Sequence, residues 1–574
     1  MDTELKKLLV DLDKTYDPEC CLVQITVGEG AYHCSLPVGS LVHFGRRSLA
    51  YVIYMLELDP VEERKARACD IVRAVLALQD RDPISRTYGI WPLYLEEPLS
   101  VMKVPDWNYA SFVGSQLIFL RHRHASVFPP ELLDEIEKAA LHAAWSVFRR
   151  NSGPDYTNVA FPSAGVAVAV GEFSGDPFFV EYGRKLLTGM VEDHALHGGF
   201  NEYNSPGYTL VCLNWCEWIL DVVVDVEARR MTEKMRTLVW EDYADHFHPG
   251  TGQLAGPQSR SYHEFLLERA VFYLENRAEI SIPHREEAEN RERGDLTLGF
   301  LDFLTPSPCP DELRKGFVQL ETSPIERKHV YLKRADGSVV SGVTWMDEDA
   351  CLGSVNRDNL WDQRRPVLGY WRTENDPAVC FRVRFLKNGV DFASTYISSV
   401  QKANRVLSVF SLLTHKGDWH EHLDRPEVPG VFEASDFRIR FQLIGKEVGI
   451  RGLGDLRFEL FSGDRRLVVH GFSGQFGEGM VDWQIGESSH GKDKCVYVDA
   501  VCYSGAPKVF DFREMGPVVM GAGMELLKTG DLVTKEEVNI EPNKEASLVV
   551  AKWGKKEALE VEGPLSPGAH PCSM

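Results

Sequence analysis

Three polar segments in the first half of the chain carry side chains that could move protons or neutralise an anion. The segment DYTNVAF places Asn158 at the start of an apolar stretch, GGFNEYNSPGY ends on Tyr208, and GTGQLAGPQSRSYHEF contains Arg260. A positioned tyrosine can take or give a proton, and an amide or guanidinium can stabilise developing negative charge. Asn158 also has a plainer interpretation, because asparagine commonly caps the start of a helix.

Two segments in the second half add cations and histidines. GSVNRDNLWDQRRPVLGYW concentrates arginines in an acidic chain, which indicates either anion binding or ion pairs within the protein. LLTHKGDWHEHLDRP contains His415 and His420, which could act in acid–base chemistry. On a strand, His420 and His422 would share one face. Together with Asp424 they are a candidate structural site for a divalent metal, zinc or calcium.

Aromatic and polar residues near these segments could bind a sugar. Flat aromatic faces suit stacking against sugar rings, although aromatics at the ends of helical hairpins can equally fill the core. The predicted binding residues are Trp91, Trp107, Tyr109, Asn204, Tyr262, His263, Arg357, Trp361, Arg364 and Arg365.

Apolar residues recur at helical spacing as far as about residue 285. The pattern predicts four helical hairpins, whose starts are about 50 residues apart, and this favours an open α-solenoid or a closed (α/α) toroid. Because Asn158 and Tyr208 are 50 residues apart, one hairpin, we expect their loops at the same rim. The predicted pairs are 46–58 with 62–79, 108–124 with 130–149, 159–173 with 177–192, and 207–224 with 227–247.

After about Pro324 the apolar residues alternate, which is typical of half-buried strands in an antiparallel sheet. The sequence Ser462–Asp464 between two alternating runs predicts a hairpin turn. The expected fold class is α+β with two domains. These are an incomplete (α/α) toroid over 1–285 and an antiparallel β-sandwich over 326–574, joined by a charged, proline-rich linker over 286–325.

Composition narrows the possible functions. The 574 residues contain 44% hydrophobic and 26% charged residues, as in ordinary globular proteins. A net charge of −22 disfavours nucleic acids and anionic membranes as partners. The first residues lack the apolar core of a secretory signal and no run is long enough for a membrane span, so we expect a cytoplasmic protein. The 12 cysteines show no metal-binding spacing and are interpreted as reduced thiols.

The order of TNVAF, NEYNSPGY, GPQSRSY, NRDNLWDQRRP and THKGDWHEHLDRP resembles the heparinase II/III-like and alginate-lyase-like polysaccharide lyases. The resemblance spans most of the chain and implies a toroid followed by a β domain. It implies cleavage of a uronic-acid glycan by β-elimination, with no cofactor required. Asn158 and Arg260 would then neutralise the substrate carboxylate, Tyr208 would be the base or acid, and His415 or His420 its partner.

One position departs from that pattern. These lyases commonly carry a histidine beside the toroid asparagine, whereas Val159 follows Asn158 here, so Gln258 or His263 would have to replace it.

Three other functions fit the same sequence. A uronate epimerase would return the abstracted proton to the opposite face of the sugar. A glycoside hydrolase would need two carboxyl groups flanking the bond, and Glu202 with Asp106 or Glu264 are the candidates. A carbohydrate-binding protein would use the aromatic rim without catalysis. In each case the expected partner is a uronate-containing oligosaccharide or polysaccharide, and a homo-oligomer is possible.

Overall fold

The computed structural model describes residues 2–28, 33–285, 300–554 and 558–572. The charge-rich part of the predicted linker, 286–299, therefore lies outside the described residues. The chain forms two compact units. Unit 1 comprises Met1–Asp193, Val211–Val239 and Glu292–Ser307, and unit 2 comprises His194–Leu210, Trp240–Arg291 and Pro308–Met574.

Helices dominate the chain as far as Ala278, and all eight predicted helices are confirmed within a few residues at each end. None of the helices among the described residues has the length and apolarity needed to cross a bilayer. The α-helices are α1 (Asp2–Thr15), α2 (Gly45–Leu58), α3 (Glu62–Ala77), α4 (Tyr109–His124), α5 (Pro130–Arg150), α6 (Thr157–Ser174), α7 (Pro177–His197), α8 (Tyr208–Val222), α9 (Val226–His246), α10 (Glu268–Ala278) and α11 (Asp311–Arg314). Short 3₁₀ helices span Ala125–Val127, Pro154–Tyr156, Phe300–Phe303 and Lys315–Phe317.

The helices of unit 1 pack as hairpins in two layers. Helix α2 contacts α3 and α4 contacts α5 within hairpins, while α2, α4 and α6 contact one another in sequence. Helix α6 also packs against α8, because a Cβ at Gly165 would meet the ring of Trp218 and the side chain of Ile219. Only glycine at position 165 allows these two helices to approach so closely.

The short segment Phe300–Phe303 shows that the inner helices of unit 1 form a ring. The Phe300 ring lies 5.4 Å from Phe119 of α4 and 5.9 Å from Trp218 of α8. Three residues later, Phe303 lies 5.5 Å from Tyr54 of α2. In an open solenoid α2 and α8 would be three repeats apart, and one turn of chain could not touch both. The arrangement therefore favours the toroid over the solenoid.

Strands make up most of the chain after residue 324, as the alternating pattern predicts. Strands β1 to β5 lie earlier and are short: β1 (Tyr16–Asp17), β2 (Leu22–Thr26), β3 (Leu41–His43), β4 (Phe247–His248) and β5 (Gln253–Leu254). The later strands are β6 (Ile325–Lys333), β7 (Val339–Met346), β8 (Ala350–Val355), β9 (Arg357–Asp358), β10 (Val367–Trp371), β11 (Val379–Lys387), β12 (Val390–Asp391), β13 (Thr395–Lys402), β14 (Arg405–Leu412), β15 (Val431–Gly445), β16 (Gly449–Gly454), β17 (Arg457–Ser462), β18 (Arg465–His470), β19 (Gln475–Phe476), β20 (Gly479–Met480), β21 (Asp482–His490), β22 (Asp493–Asp511), β23 (Val518–Lys528), β24 (Val538–Asn543), β25 (Leu548–Trp553) and β26 (Leu559–Pro564).

Two antiparallel sheets form the predicted β-sandwich in unit 2. The first has the order β21-β22-β15-β11-β10-β8-β7-β6, and the second has the order β16-β17-β18-β23-β14-β13-β9. Their inner faces share one apolar core, in which Phe410 of the second sheet lies 6.4 Å from Phe441 of the first. The predicted turn at Ser462–Asp464 is confirmed, since it joins the paired strands β17 and β18.

Both sheets are also covered on their outer faces. Strands β24, β25 and β26 form a small sheet whose Val549 and Trp553 pack with Leu407 and Val409 of β14. On the first sheet, Ala255 packs in a cluster with residues of β7, β8, β10 and β11. The segment around Ala255 therefore lies on the first sheet, and it leads directly into Arg260.

Candidate active site

The start of α8 places the Tyr208 hydroxyl in a small polar cluster within unit 2. This hydroxyl lies 2.6 Å from the hydroxyl of Tyr262. One terminal nitrogen of Arg260 donates to it at 3.2 Å. The side chain of Tyr262 is 51% exposed, whereas Arg260 is buried. Tyr208 is thus joined to a fixed cation on one side and to a solvent-facing hydroxyl on the other.

Arg260 is held by contacts along its whole guanidinium group. Its Nε donates to Gln363 at 2.8 Å, and its Nη1 donates to Glu202 at 2.9 Å. The guanidinium carbon lies 4.8 Å from the centre of the Tyr208 ring and 5.2 Å from that of Trp361. These contacts use Arg260 inside the protein, in contrast to the expectation that its charge is free to neutralise a substrate carboxylate. Its structural role is to position Tyr208.

Backbone pairing fixes Arg260 against the first sheet of the sandwich. Gln258 and Arg365 exchange two backbone hydrogen bonds of 3.1 and 2.9 Å, and the Ser261 N–H donates to the Gln363 carbonyl at 2.8 Å. A Cβ at Gly353 of β8 would overlap the carbonyl of Gly256, so glycine is required where this segment crosses the sheet. The segment therefore has little freedom to move Arg260 away from Tyr208.

Ser205 connects the start of α8 to the Arg260 segment. Its hydroxyl accepts the Tyr208 N–H at 3.1 Å and donates to the Arg260 carbonyl at 2.6 Å. Asn204 beside it donates to the carbonyls of Ala255 and Pro257. Both sides of the Tyr208–Arg260 contact are thus tied together by side chains of the NEYNSPGY segment.

Burial raises the pKa of Tyr208 well above its ordinary value. The charge of Arg260 opposes this shift, while Tyr262 and Glu202 add to it. Tyr208 is therefore a protonated phenol in the resting site near neutral pH. To act as a base it must first lose this proton, and Tyr262 is the group through which the proton can reach solvent.

A layer of buried charges lies behind the cluster. The fully buried Arg364 side chain lies 3.8 Å from Asp358 and 3.6 Å from Glu421, and it donates to the Ser259 carbonyl at 3.0 Å. Glu421 also accepts hydrogen bonds from Lys416 at 3.0 Å. Ion pairing within the protein is thus the correct interpretation for Arg364, which has no exposed surface to offer a substrate.

These cations hold the Glu421 carboxylate charged. Although burial opposes the charge, Arg364 and Lys416 lower the pKa of Glu421 to about 2. A lowered pKa in the folded state stabilises the protein above the ordinary carboxyl pKa, and this contribution is lost as pH falls toward 2. We expect Glu421→Gln to lower the urea midpoint at pH 6, and the gap from the unsubstituted protein to narrow progressively between about pH 4.5 and pH 3.

Glu560→Gln is the matched control for that measurement. Glu560 pairs at the surface with Lys552, and both side chains are exposed. Its urea midpoint should follow that of the unsubstituted protein at every pH. A gap for Glu421→Gln that stays constant between pH 6 and pH 3 would contradict the assignment of the low pKa to Glu421.

Residues 414–430 form an irregular loop, so the condition under which His420 and His422 would share a strand face is not met. Asp424 accepts the backbone N–H groups of Asp418, Trp419 and His420, which shapes the loop. A Cβ at Gly417 would overlap both the His420 carbonyl and the Asp424 carboxylate, so only glycine fits there. Asp424 is a loop-shaping residue in this structure.

His420 is the histidine of this loop that reaches the cluster. Its ring lies 4.7 Å from that of Trp361, edge to face, and Trp361 in turn packs on Arg260. His420 Nδ1 accepts the backbone N–H groups of His422 and Leu423, at 3.0 and 3.2 Å. An accepting Nδ1 carries no proton, so a neutral His420 has its proton on Nε2. Metal binding by His420, His422 and Asp424 stays a prediction.

His415 lies at the start of the same loop. Burial, followed by the charges of Lys416 and Arg425, lowers the pKa of His415. Its Nδ1 is buried without a hydrogen-bond partner among the described atoms. None of the described contacts joins His415 to Tyr208 or Arg260, so His420 is the better candidate partner.

Several predicted binding residues have other roles in the structure. Asn204 is buried and holds the Ala255–Pro257 backbone, and Trp361 is buried beneath Arg260 and His420. Arg365 is buried and donates to carbonyls of its own loop. These positions are corrected from substrate contacts to support of the site. Tyr262 and His263 are exposed, and Arg357 is half-buried, so they remain candidates for binding.

Four of the candidate site residues lie in unit 1: Trp91, Trp107, Tyr109 and Asn158. Trp91 is buried, and its indole N–H donates to the Val75 carbonyl at 3.0 Å, while Tyr109 is buried at the start of α4. Both are core residues, which corrects their prediction as sugar-stacking surfaces. Trp107 is half-buried and donates to the Arg86 carbonyl at 3.2 Å. Asn158 is buried in the first turn of α6, after the capping residue, and its proposed contact with a carboxylate stays a prediction.

The sequence did not reveal the partners that position Tyr208. The sequence indicates Glu202 only as a candidate acid for a hydrolase, and it gives no indication of a role for Ser205, Gln363 or Glu421. Glu202 and Arg260 are 58 residues apart, and no local pattern indicates that they pair. The available signal was their presence in polar loops flanking apolar helices, which identifies the loops and not the pairing.

The chain matches one family model and is similar to several solved structures. A family model described as "Domain of unknown function (DUF8769)" matches residues 11–271. None of the curated proteins matches the chain. The chain is also similar to solved structures of heparinase III and of chondroitin AC lyases.

Three solved structures illustrate this similarity. Heparinase III is 8% identical, with 91% of this chain and 82% of that chain covered and a TM-score of 0.42. Streptomyces coelicolor A3 chondroitin AC lyase is 9% identical, with 96% and 84% covered and a TM-score of 0.46. A chondroitinase AC lyase is 9% identical, with 98% and 89% covered and a TM-score of 0.41. At these identities the similarity concerns the fold, and function has to be argued from the site.

Proposed function

We propose that this chain is a lyase that cleaves a uronate-containing glycan by β-elimination, with Tyr208 as the proton-transfer residue. The observation that carries the proposal is the position of the Tyr208 hydroxyl, 3.2 Å from the Arg260 guanidinium and 2.6 Å from the Tyr262 hydroxyl. A buried cation stabilises the phenolate that forms during proton transfer, and an exposed hydroxyl connects it to solvent.

The proposed reaction begins when Tyr208 loses its proton through Tyr262. The Tyr208 phenolate then takes the proton from the carbon next to the uronate carboxylate. The electron pair of that C–H bond forms a double bond to the neighbouring carbon, as the bond from this carbon to the glycosidic oxygen breaks. Tyr208 then returns the proton to the leaving oxygen, or the Nε2–H of His420 supplies one. No atom is oxidised or reduced, and no cofactor is required.

The carboxyl groups of the site argue against a hydrolase. A glycoside hydrolase needs one carboxyl group that stays protonated near neutral pH. Glu202 is bound to Arg260, and the pKa of Glu421 is lowered by Arg364 and Lys416. Although burial opposes the charge, Arg382 and His490 hold the pKa of Glu264 well below its ordinary value. Each of these described carboxyl groups is paired with a cation.

The test of the proposal is ultraviolet absorbance of the unsaturated uronate that β-elimination forms. The purified protein would be incubated with glycans containing glucuronate, iduronate, mannuronate or galacturonate. A rise in absorbance with one glycan supports the proposal and identifies the substrate class. Release of reducing ends without absorbance would indicate hydrolysis. Exchange of solvent deuterium into the sugar without cleavage would indicate an epimerase, and both results would overturn the proposal.

Tyr262→Phe is expected to slow the reaction by about tenfold, the effect of losing one hydrogen bond of roughly 1.4 kcal/mol. Removing this hydroxyl leaves Tyr208 and Arg260 in place but removes the proton route to solvent. The measurement is kcat/KM from the absorbance assay as a function of pH. Tyr503→Phe is the control, because its exposed hydroxyl contacts only the Ala506 carbonyl. Equal rates for both variants would exclude a role for Tyr262 in proton transfer.

The proposed role of Asn158 has a separate test. If its amide neutralises the substrate carboxylate, Asn158→Ala should reduce kcat more than it weakens substrate binding. Asn158 is buried. The circular dichroism spectrum of the Asn158→Ala protein must therefore first show that α6 is intact. An Asn158→Ala protein that is folded and fully active would remove Asn158 from the mechanism.

A further inference from the structure

We propose that Asp17, Cys20 and His43 form a zinc site on the small sheet near the start of unit 1. One ligand atom from each residue lies within 4.8 Å of the other two. These atoms are a carboxylate oxygen, a thiol sulfur and an imidazole nitrogen. Such a mixed set of ligands suits Zn²⁺ better than calcium or magnesium, which prefer oxygen.

The register of the small sheet brings the ligands together. Asp17 of β1 pairs with Leu22 of β2, and His43 of β3 pairs with Gln24. Because Leu22 and Gln24 are two residues apart on β2, the side chains of Asp17, Gln24 and His43 share one face. Cys20 lies in the turn between β1 and β2, at the same end of the sheet. A metal there would join the β1–β2 hairpin to β3.

Glu96 orients the imidazole of His43 for this role. One Glu96 oxygen lies 2.5 Å from His43 Nδ1, and the other accepts the His43 backbone N–H at 2.9 Å. A carboxylate can only accept, so Nδ1 carries the proton. Nε2 is then the ring nitrogen that would bind the metal. A histidine that binds a metal typically donates its second ring N–H to a carboxylate in this way.

His43 Nε2 and the Asp17 carboxylate face each other at a short distance. Nε2 lies 3.0 Å from Asp17 Oδ2, while Asp17 Oδ1 accepts the Glu19 N–H at 2.8 Å. The side-chain amide nitrogen of Gln24 lies beside both groups, 3.2 Å from His43 Nε2 and 3.3 Å from Asp17 Oδ2, and a bound ion would take its place. The sulfur of Cys20 adds a third donor atom at the same point, and an oxygen, a nitrogen and a sulfur together suit zinc. Cys20 is a free thiol, and half-buried, so a metal can reach it.

The experiment uses the full folded chain, treated with a chelator and desalted. Titration with Zn²⁺ by calorimetry should show one site, and metal analysis should find one zinc per chain. Replacement by Co²⁺ should give the ultraviolet absorption of a thiolate–cobalt bond. Bound zinc should also raise the thermal midpoint, since it binds the folded state. Absence of zinc binding by the chelated protein would overturn the proposal and leave His43 as an ion-pairing residue only.

Variants assign the site to its residues. Cys20→Ser should abolish the cobalt absorption and weaken zinc binding at least about tenfold, and Glu96→Gln should weaken it by about 10–100-fold through the orientation of His43. Cys21→Ser is the matched control, because that neighbouring sulfur contacts the Pro18 carbonyl and should leave zinc binding unchanged. Since the Cys20 thiol is at the surface of a turn, its serine variant is expected to fold.

Two outcomes distinguish this site from the histidine loop of unit 2. If His422→Ala abolishes zinc binding and Cys20→Ser does not, the ion belongs to that loop and the proposal fails. If Cys20→Ser and Cys21→Ser weaken binding equally, the metal is held by a surface thiol without the geometry described here. Neither outcome depends on whether the chain is a lyase.

Discussion

Replacing Tyr208 by phenylalanine is expected to reduce the rate of β-elimination by about 10²–10⁴-fold, the usual contribution of a positioned acid–base group. The substitution removes only the hydroxyl that Arg260 and Tyr262 contact. The aromatic ring stays under the guanidinium, so the loss should appear in kcat and not in substrate binding. The measurement is initial rate of absorbance increase at saturating substrate, with binding followed by calorimetry.

Tyr503→Phe serves as the control here as well and should retain the full rate. Tyr208→Phe has to be compared with the unsubstituted protein by thermal unfolding, because one hydrogen-bond acceptor of Arg260 is lost. A Tyr208→Phe protein with normal stability and a rate within roughly threefold of the original would refute the proposed proton transfer, since a catalytic acid–base group contributes at least about 10²-fold.

Replacing Arg364 by methionine is expected to destabilise the protein by about 3–5 kcal/mol, the usual effect of removing one partner of a buried ion pair. Asp358 and Glu421 would then be buried without the cation between them. The Ser259 carbonyl would also lose its hydrogen bond, which links the charge layer to the Arg260 segment. Chemical denaturation followed by tryptophan fluorescence measures the change in free energy of unfolding.

Lys552→Met is the control for this measurement. Lys552 pairs with Glu560 at the surface, where solvent screens the charges, so the free energy of unfolding should barely change. If Arg364→Met were as stable as Lys552→Met, the buried charges would be compensated by other groups. That result would show that Arg364 is not needed to neutralise Asp358 and Glu421.

The fold could be predicted well because it depends on periodic patterns. The predicted helix 46–58 is observed as Gly45–Leu58, and 130–149 is observed as Pro130–Arg150. The helix Pro130–Arg150 has one buried face, so its apolar residues repeat at helical spacing, whereas Gly45–Leu58 is buried on all sides from Leu49 to Leu56 and is apolar throughout that stretch. The hairpin turn at Ser462–Asp464 was equally local. Such features are decided by neighbours in sequence, which is why the sequence alone was sufficient.

The site was harder to predict because it depends on contacts between distant segments. The sequence does not show the shape of the loop containing His420, which is determined by Gly417 and the Asp424 carboxylate. The partner of Arg260, Gln363, is 103 residues away in the sequence. Only the folded structure shows that the Arg260 guanidinium already donates hydrogen bonds to Gln363 and Glu202. Its role therefore changed from binding a substrate to holding Tyr208.

The ring in unit 1 also determines when this part of the chain can finish folding during synthesis. Phe300 is fully buried between Phe119 and Trp218, although it is made 82 residues after Trp218. A ribosome that has produced the first 285 residues has made all the long helices but not the segment that fills their centre. Those aromatic faces therefore stay uncovered until residue 303 has been synthesised. During this period they are a surface to which a chaperone would bind.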